Sequence, residues 1–124
     1  MNEESSPTSL NVYHICRRTD WESCIEDCEY QPPKIDRADG FLHLSTALQI
    51  VESAARHRAG QSGLILLEID TSNLGAELRW EASRNGELFP HLYGPIPLGA
   101  VTAVDDLPVG ADGLHKFPKI FRQT

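Results

Sequence analysis

The sequence is short of positive charge, of cysteine and of long apolar runs, and each shortage excludes something. It has 11 Lys and Arg against 18 Asp and Glu, a formal net charge of −7. An acidic surface repels phosphate backbones and anionic lipids, so neither nucleic acid nor a membrane surface is the expected partner. The densest basic cluster, Arg56-His-Arg58, has a plainer role, because cations favour a helix C-terminus. No apolar run approaches the length that carries a helix across a bilayer. A Gly-rich dinucleotide turn and a phosphate loop ending in Gly-Lys-Ser/Thr are both missing. Repeats, linkers and low-complexity blocks are missing too. Three cysteines, Cys16, Cys24 and Cys28, are an odd set for a disulfide framework. With no basic or apolar signal region in Met1-Asn-Glu-Glu-Ser-Ser-Pro7, they point to reduced thiols in a cytoplasm. Residues 1–8 read as a disordered tail and 9–124 as one domain, long enough to bury a core without disulfides.

What is present is a set of short, differently patterned segments. Leu10-Asn-Val-Tyr-His-Ile-Cys16 alternates and predicts a first strand. Thr19-Asp-Trp-Glu22 has capping-box spacing, predicting a helix to about Cys28 with Trp21, Cys24, Ile25 and Cys28 inward. Pro32-Pro33 starts an extended loop. Gly40 opens a short strand, Phe41–Leu44. A second helix follows, capped at Ser45 or Thr46 and ending near Gly60, with Leu48, Val51, Ala55 and Ala59 at helical spacing. Gly63-Leu-Ile-Leu-Leu-Glu-Ile69 predicts a central strand buried on both faces. Strands are expected at 78–81, at 88–93 after the Asn85-Gly86 turn, and at 99–104, with Phe117, Ile120 and Phe121 docking back. Helices early and strands late predict an α+β domain: a strongly bent mixed sheet with two helices.

A few polar residues can carry chemistry. His14 and His43 sit in strands that share a cleft if they are neighbours. The helix N-terminus at Ser45-Thr46 offers N–H groups and positive dipole to a phosphate or carboxylate. Glu87 follows the Asn-Gly turn, where a carboxylate can bind sugar hydroxyls or steady a developing cation. Phe89, His91 and Tyr93 alternate onto one face, with Tyr93 able to stack on a flat ring. Arg79 and Glu81 share a strand face and read as a cross-strand ion pair. His14, Cys16, His43 and His91 lack the close paired spacing of a metal site, so no metal is expected. Nothing around Cys16 marks it as an activated nucleophile.

The segments Val12-Tyr-His-Ile15, Gly40-Phe-Leu-His-Leu-Ser-Thr46 and Gly86-Glu-Leu-Phe-Pro-His-Leu-Tyr-Gly-Pro95 resemble the domain-of-unknown-function family DUF952. The order His14, His43-Leu-Ser45, Leu67-Glu-Ile-Asp70, Asn85-Gly-Glu87 is also similar to the ADP-ribosyltransferase superfamily, which includes RNA 2′-phosphotransferases. That resemblance implies an ADP-ribosyltransferase-like fold with NAD as cofactor. His14, His43, Ser45, Thr46, His91 and Tyr93 would be binding residues, and Glu87 with His43 the catalytic pair. It implies transfer or hydrolysis of ADP-ribose through an oxocarbenium-like ribose, steadied by a carboxylate. Asp39-Gly40 replaces the Arg of the phosphotransferases, which argues against RNA 2′-phosphotransfer. Ile15 replaces a small residue after the first His and narrows the cofactor cleft. The alternative is a non-catalytic module for a small anionic ligand. A third reading is a protein-interaction domain using a Phe89/Tyr93 patch.

Overall fold

A computed structural model describes residues 11–31, 40–83 and 86–118. In chain order the elements are β1 (Asn11–Arg17), α1 (Arg18–Cys24), β2 (Glu29–Tyr30), β3 (Leu42–His43), α2 (Ala47–His57), β4 (Leu64–Asp70), β5 (Leu78–Ala82), β6 (Leu88–Leu92), β7 (Ile96–Pro97) and β8 (Val101–Leu107). The architecture is α+β. The expected tail at 1–8, the Pro32-Pro33 loop, Asn85, Ile120 and Phe121 lie outside the described residues.

The apolar run of β4 does what its composition requires. It is the middle strand of a sheet ordered β1-β4-β8 and is covered on both sides. Ile65, Leu67 and Ile69 face one core with Val12, Cys16, Tyr30, Leu42, Leu44, Leu92 and Ile96. Leu64 and Leu66 face a second core with Tyr13, Ile15, Ile50, Ala54, Leu107 and Phe117. The docking expected of Phe117 is therefore found. A second sheet runs β3-β6-β5, and β2 pairs with β7.

Every ladder among the described residues is antiparallel, which corrects the expected mixed sheet. The reason is connectivity: α2 joins β3 to β4, which belong to different sheets, so it builds no parallel crossover. The bend expected of the sheet instead becomes a break. The two three-stranded sheets meet at one bridge, where Tyr13 and Ser45 exchange backbone hydrogen bonds of 2.7 and 2.9 Å.

Pro90 lies inside the middle strand of the second sheet, where a missing donor should weaken pairing. Its carbonyl accepts from Leu44 N at 3.0 Å, on the β3 side. The N and O of a strand residue point the same way, so the missing N–H falls on that side too. There β3 has already ended at His43.

The helices keep their places but change their facing. α1 starts at Arg18, one residue before the expected cap Thr19. Arg17 occupies the cap position with its Nε donating to Asp20 Oδ2 at 2.9 Å and no side-chain capping bond, and Arg18 N donates to Gly63 O at 2.9 Å, tying the helix entry to the turn before β4. Trp21 and Cys24 pack on the first core as expected, whereas Ile25 and Cys28 are exposed. The helix has ended at Cys24, and Cys28 turns the chain at φ 62°. In α2 the capping box is complete: Thr46 Oγ1 accepts from Gln49 N, and Gln49 Oε1 accepts from Thr46 N. The buried face is Gln49, Ile50 and Ala54, not Leu48, Val51 and Ala55, and Leu48 is 81% exposed. Gln49 explains the rotation, since its amide donates to Leu88 O at 2.8 Å and holds that side of the helix against β6. No helix among the described residues is long and apolar enough to cross a membrane.

Candidate functional site

Strand alternation divides the β3-β6-β5 sheet into two unlike faces. Residues opposite one another across an antiparallel ladder share a face, as do residues two apart. The pairs Leu42↔Leu92 and Leu78↔Leu92 put three leucines on the face that enters the first core. The pairs His43↔His91 and Arg79↔His91 put those three residues on the other face, with Phe41, Glu81, Phe89 and Tyr93 following by parity.

The rings on that outer face touch. Phe41 stacks on His91 with centroids 4.2 Å apart, and meets His43 at 4.8 Å and Tyr93 at 5.1 Å. His43 stands edge-on to His91 at 5.4 Å. The Arg79 guanidinium lies over the Tyr93 ring, 4.7 Å from its centroid, a favourable cation–π distance. Glu81 Oε1 accepts from both His91 Nδ1 at 2.8 Å and Tyr93 Oη at 2.7 Å. These two hydrogen bonds, His91's first, hold the Glu81 carboxyl below the usual glutamate range, and donation to Glu81 pushes the Tyr93 hydroxyl up. Glu81 is thus an anion at neutral pH, and the His91 nitrogen facing it carries a proton.

His14 connects to this group through the backbone. Its Nδ1 donates to His43 O at 3.0 Å. The ring is buried beside Tyr30, with centroids 5.8 Å apart, on the β1 face it shares with Val12 and Cys16. His14 therefore braces the strand that carries His43. Its partner there is the carbonyl, while the His43 ring lies among Phe41 and His91.

Ser45, Thr46 and Glu87 form a separate group around the start of α2. Ser45 spends its backbone on Tyr13, and its hydroxyl donates to Ser53 Oγ at 3.4 Å. Thr46 is the helix cap. Glu87 is exposed and accepts from Gln49 Nε2 at 2.9 Å.

Of the residues singled out in the sequence, then, His43, His91 and Tyr93 are brought together, with His14 behind them. Phe41, Arg79 and Glu81 complete the cluster and were not read as site residues. The signal for Glu81 was the strand register, which pairs β5 with β6 so that Arg79 faces His91. Cys16, whose thiol burial pushes up to about 12, stays protonated. Among the described residues no three His, Cys, Asp or Glu gather around a metal position.

The family model described as protein of unknown function (DUF952) matches residues 15–104. The chain belongs to the DUF952 family. The match takes in the whole ring cluster, Phe41 to Tyr93, and begins one residue after His14. This DUF952 domain is similar to protein CC0527 from Caulobacter crescentus. The crystal structure of that protein is 38% identical, with 90% of this chain and 98% of that one covered, at a TM-score of 0.83. Its solution NMR structure gives the same identity over 92% and 96%, at a TM-score of 0.75. Among curated proteins, none matches the chain.

Proposed function

We propose that this domain binds a small, anionic, flat-ringed molecule of the nucleotide type on the outer face of the β3-β6-β5 sheet. The observation that carries the reading is the asymmetry of that sheet. One face is leucine core, and the other sets Phe41, His43, His91 and Tyr93 in ring contact, with Arg79 and Glu81 at their side. A flat base suits the rings, a phosphate suits Arg79, and sugar hydroxyls suit the imidazoles and the carboxylate.

NAD is the first member of that class to try, because the order of His14, His43 and Glu87 resembles the ADP-ribosyltransferase superfamily. Two three-stranded sheets joined at one bridge are compatible with such a fold. The exposed carboxylate of Glu87, engaged with Gln49, favours binding over ADP-ribosyl transfer through that residue. Free thiols at all three cysteines fit a cytoplasmic setting.

The test is a titration of ¹⁵N-labelled protein with ADP-ribose, NAD and AMP. Saturable amide shifts at Phe41, His43, Arg79 and Tyr93 are expected with at least one of them. An unchanged spectrum at millimolar ligand, or shifts confined to the α2 surface, would overturn the proposal.

A further inference from the structure

One ring nitrogen in the cluster has chemistry beyond recognition. His91 is 5% exposed, so its ring is almost wholly enclosed. Nδ1 is spent on Glu81. The facing carboxylate only accepts, so Nδ1 carries a proton, and the tautomer this selects has its lone pair on Nε2. Among the described residues, the side-chain nitrogen or oxygen that is both shut off from solvent and without a partner is His115 Nδ1. His91 Nε2 is not in that position: among the described residues it has no hydrogen-bond partner, and since it is not enclosed it is left open to solvent. A buried imidazole is thus clamped by a carboxylate on one nitrogen and open on the other.

We infer that His91 is a proton acceptor for a hydroxyl placed on this face, either a sugar hydroxyl of the bound molecule or a water beside it, and that Glu81 is its positioning residue. The inference rests on the nucleotide reading above. In the step, the hydroxyl O–H bond breaks and the proton joins Nε2. The oxygen keeps the bonding pair and becomes a nucleophile. The imidazolium so formed is paired with the Glu81 carboxylate, so the positive charge arises next to a negative one. Tyr93 donates to the same carboxylate oxygen and fixes its direction. Phe41 stacks on the imidazole and holds its plane. The catalytic carboxylate expected at Glu87 then has a counterpart at Glu81, acting through a histidine and not on a ribose cation.

The experiment begins on ligand-free protein. Long-range ¹H–¹⁵N spectra of the His91 ring should show Nδ1 protonated and Nε2 bare. Glu81→Gln should keep that tautomer, because the amide oxygen still accepts, and Glu81→Ala should release a mixture. A protonated Nε2 in the wild type, or an unchanged tautomer in Glu81→Ala, would overturn the inference. Diethyl pyrocarbonate, read by peptide mass mapping, should modify His91 in the wild type and do so several-fold more slowly in Glu81→Ala. An unreactive His91 beside a reactive His43 counts against an open Nε2. ADP-ribose should then slow modification of His91. Amide shifts without protection would remove the proton-acceptor role alone. The absence of both would remove the nucleotide reading, and with it this role, whatever the ligand-free tautomer.

Discussion

The two three-stranded sheets are built from the same kind of ladder and put to opposite uses. In β1-β4-β8 the middle strand is apolar on both faces, and each face meets a core of its own. The polar side chains on it are paired close by: Tyr13 Oη donates to Glu68 Oε2 at 2.9 Å, and Thr102 Oγ1 donates to Glu68 Oε1 at 2.7 Å. In β3-β6-β5 one face is core, and the other carries two histidines, a glutamate and an arginine among aromatic rings. The first sheet can hold the fold without help from the second sheet's outer face. His43 and Arg79 are exposed there and so are free to be chosen for ligand chemistry, because exposed side chains contribute little to stability.

The comparison is broken most directly at the centre of the first sheet. Leu67 is fully buried in the first core. Leu67→Ala removes apolar area and leaves a cavity, and should cost about 3 kcal/mol in urea unfolding. A loss well under 1 kcal/mol would mean that β4 is not the mechanical centre. A smaller cost is expected at the seam between the sheets. Thr46→Ala deletes the cap that accepts from Gln49 N and should cost about 1 kcal/mol, restored in large part by Thr46→Ser.

How much of this was legible in the sequence depended on how local each signal was. The β4 run and the Thr46–Gln49 capping box were readable because their physics lies within a few residues. The facing of α2 was not, since Leu48, Val51 and Ala55 make as good a stripe as Ile50 and Ala54. The choice is made by Gln49 reaching Leu88, 39 residues away. Glu81 was missed for a related reason. Had Asn85-Gly86 been a two-residue hairpin turn, Trp80 would face His91. The observed pair Ala82↔Leu88 shifts the register by one and turns Glu81 onto the histidine face. The cluster is a consequence of loop length, which composition does not report.

Acidity sharpens the comparison on the outer face itself. The folded-state pKa of Glu81 is depressed by its bonds to His91 and Tyr93. A depressed carboxyl adds stability above its unfolded value and loses it as pH falls through the folded value. Urea midpoints of the wild type and Glu81→Gln should therefore differ most above pH 4.5, the ordinary glutamate value, and converge below it. A gap that stays constant across this range would mean that the Glu81 charge is not what the variant removes.

The smallest effect on stability is expected at His43, where the comparison is most exposed to failure. Its side chain is exposed, while its carbonyl accepts a hydrogen bond from His14 Nδ1, and an alanine keeps that carbonyl. His43→Ala should leave the unfolding free energy, read from urea titration, within about 0.5 kcal/mol of wild type. The same variant should lose the amide shifts that ADP-ribose, NAD or AMP produces in the parent. If folding were lost instead, the outer face would be part of the core's support, and the division of labour between the sheets would be wrong. If both stability and binding were kept, the division would stand, but the binding surface would have to be sought away from the Phe41–His91 rings.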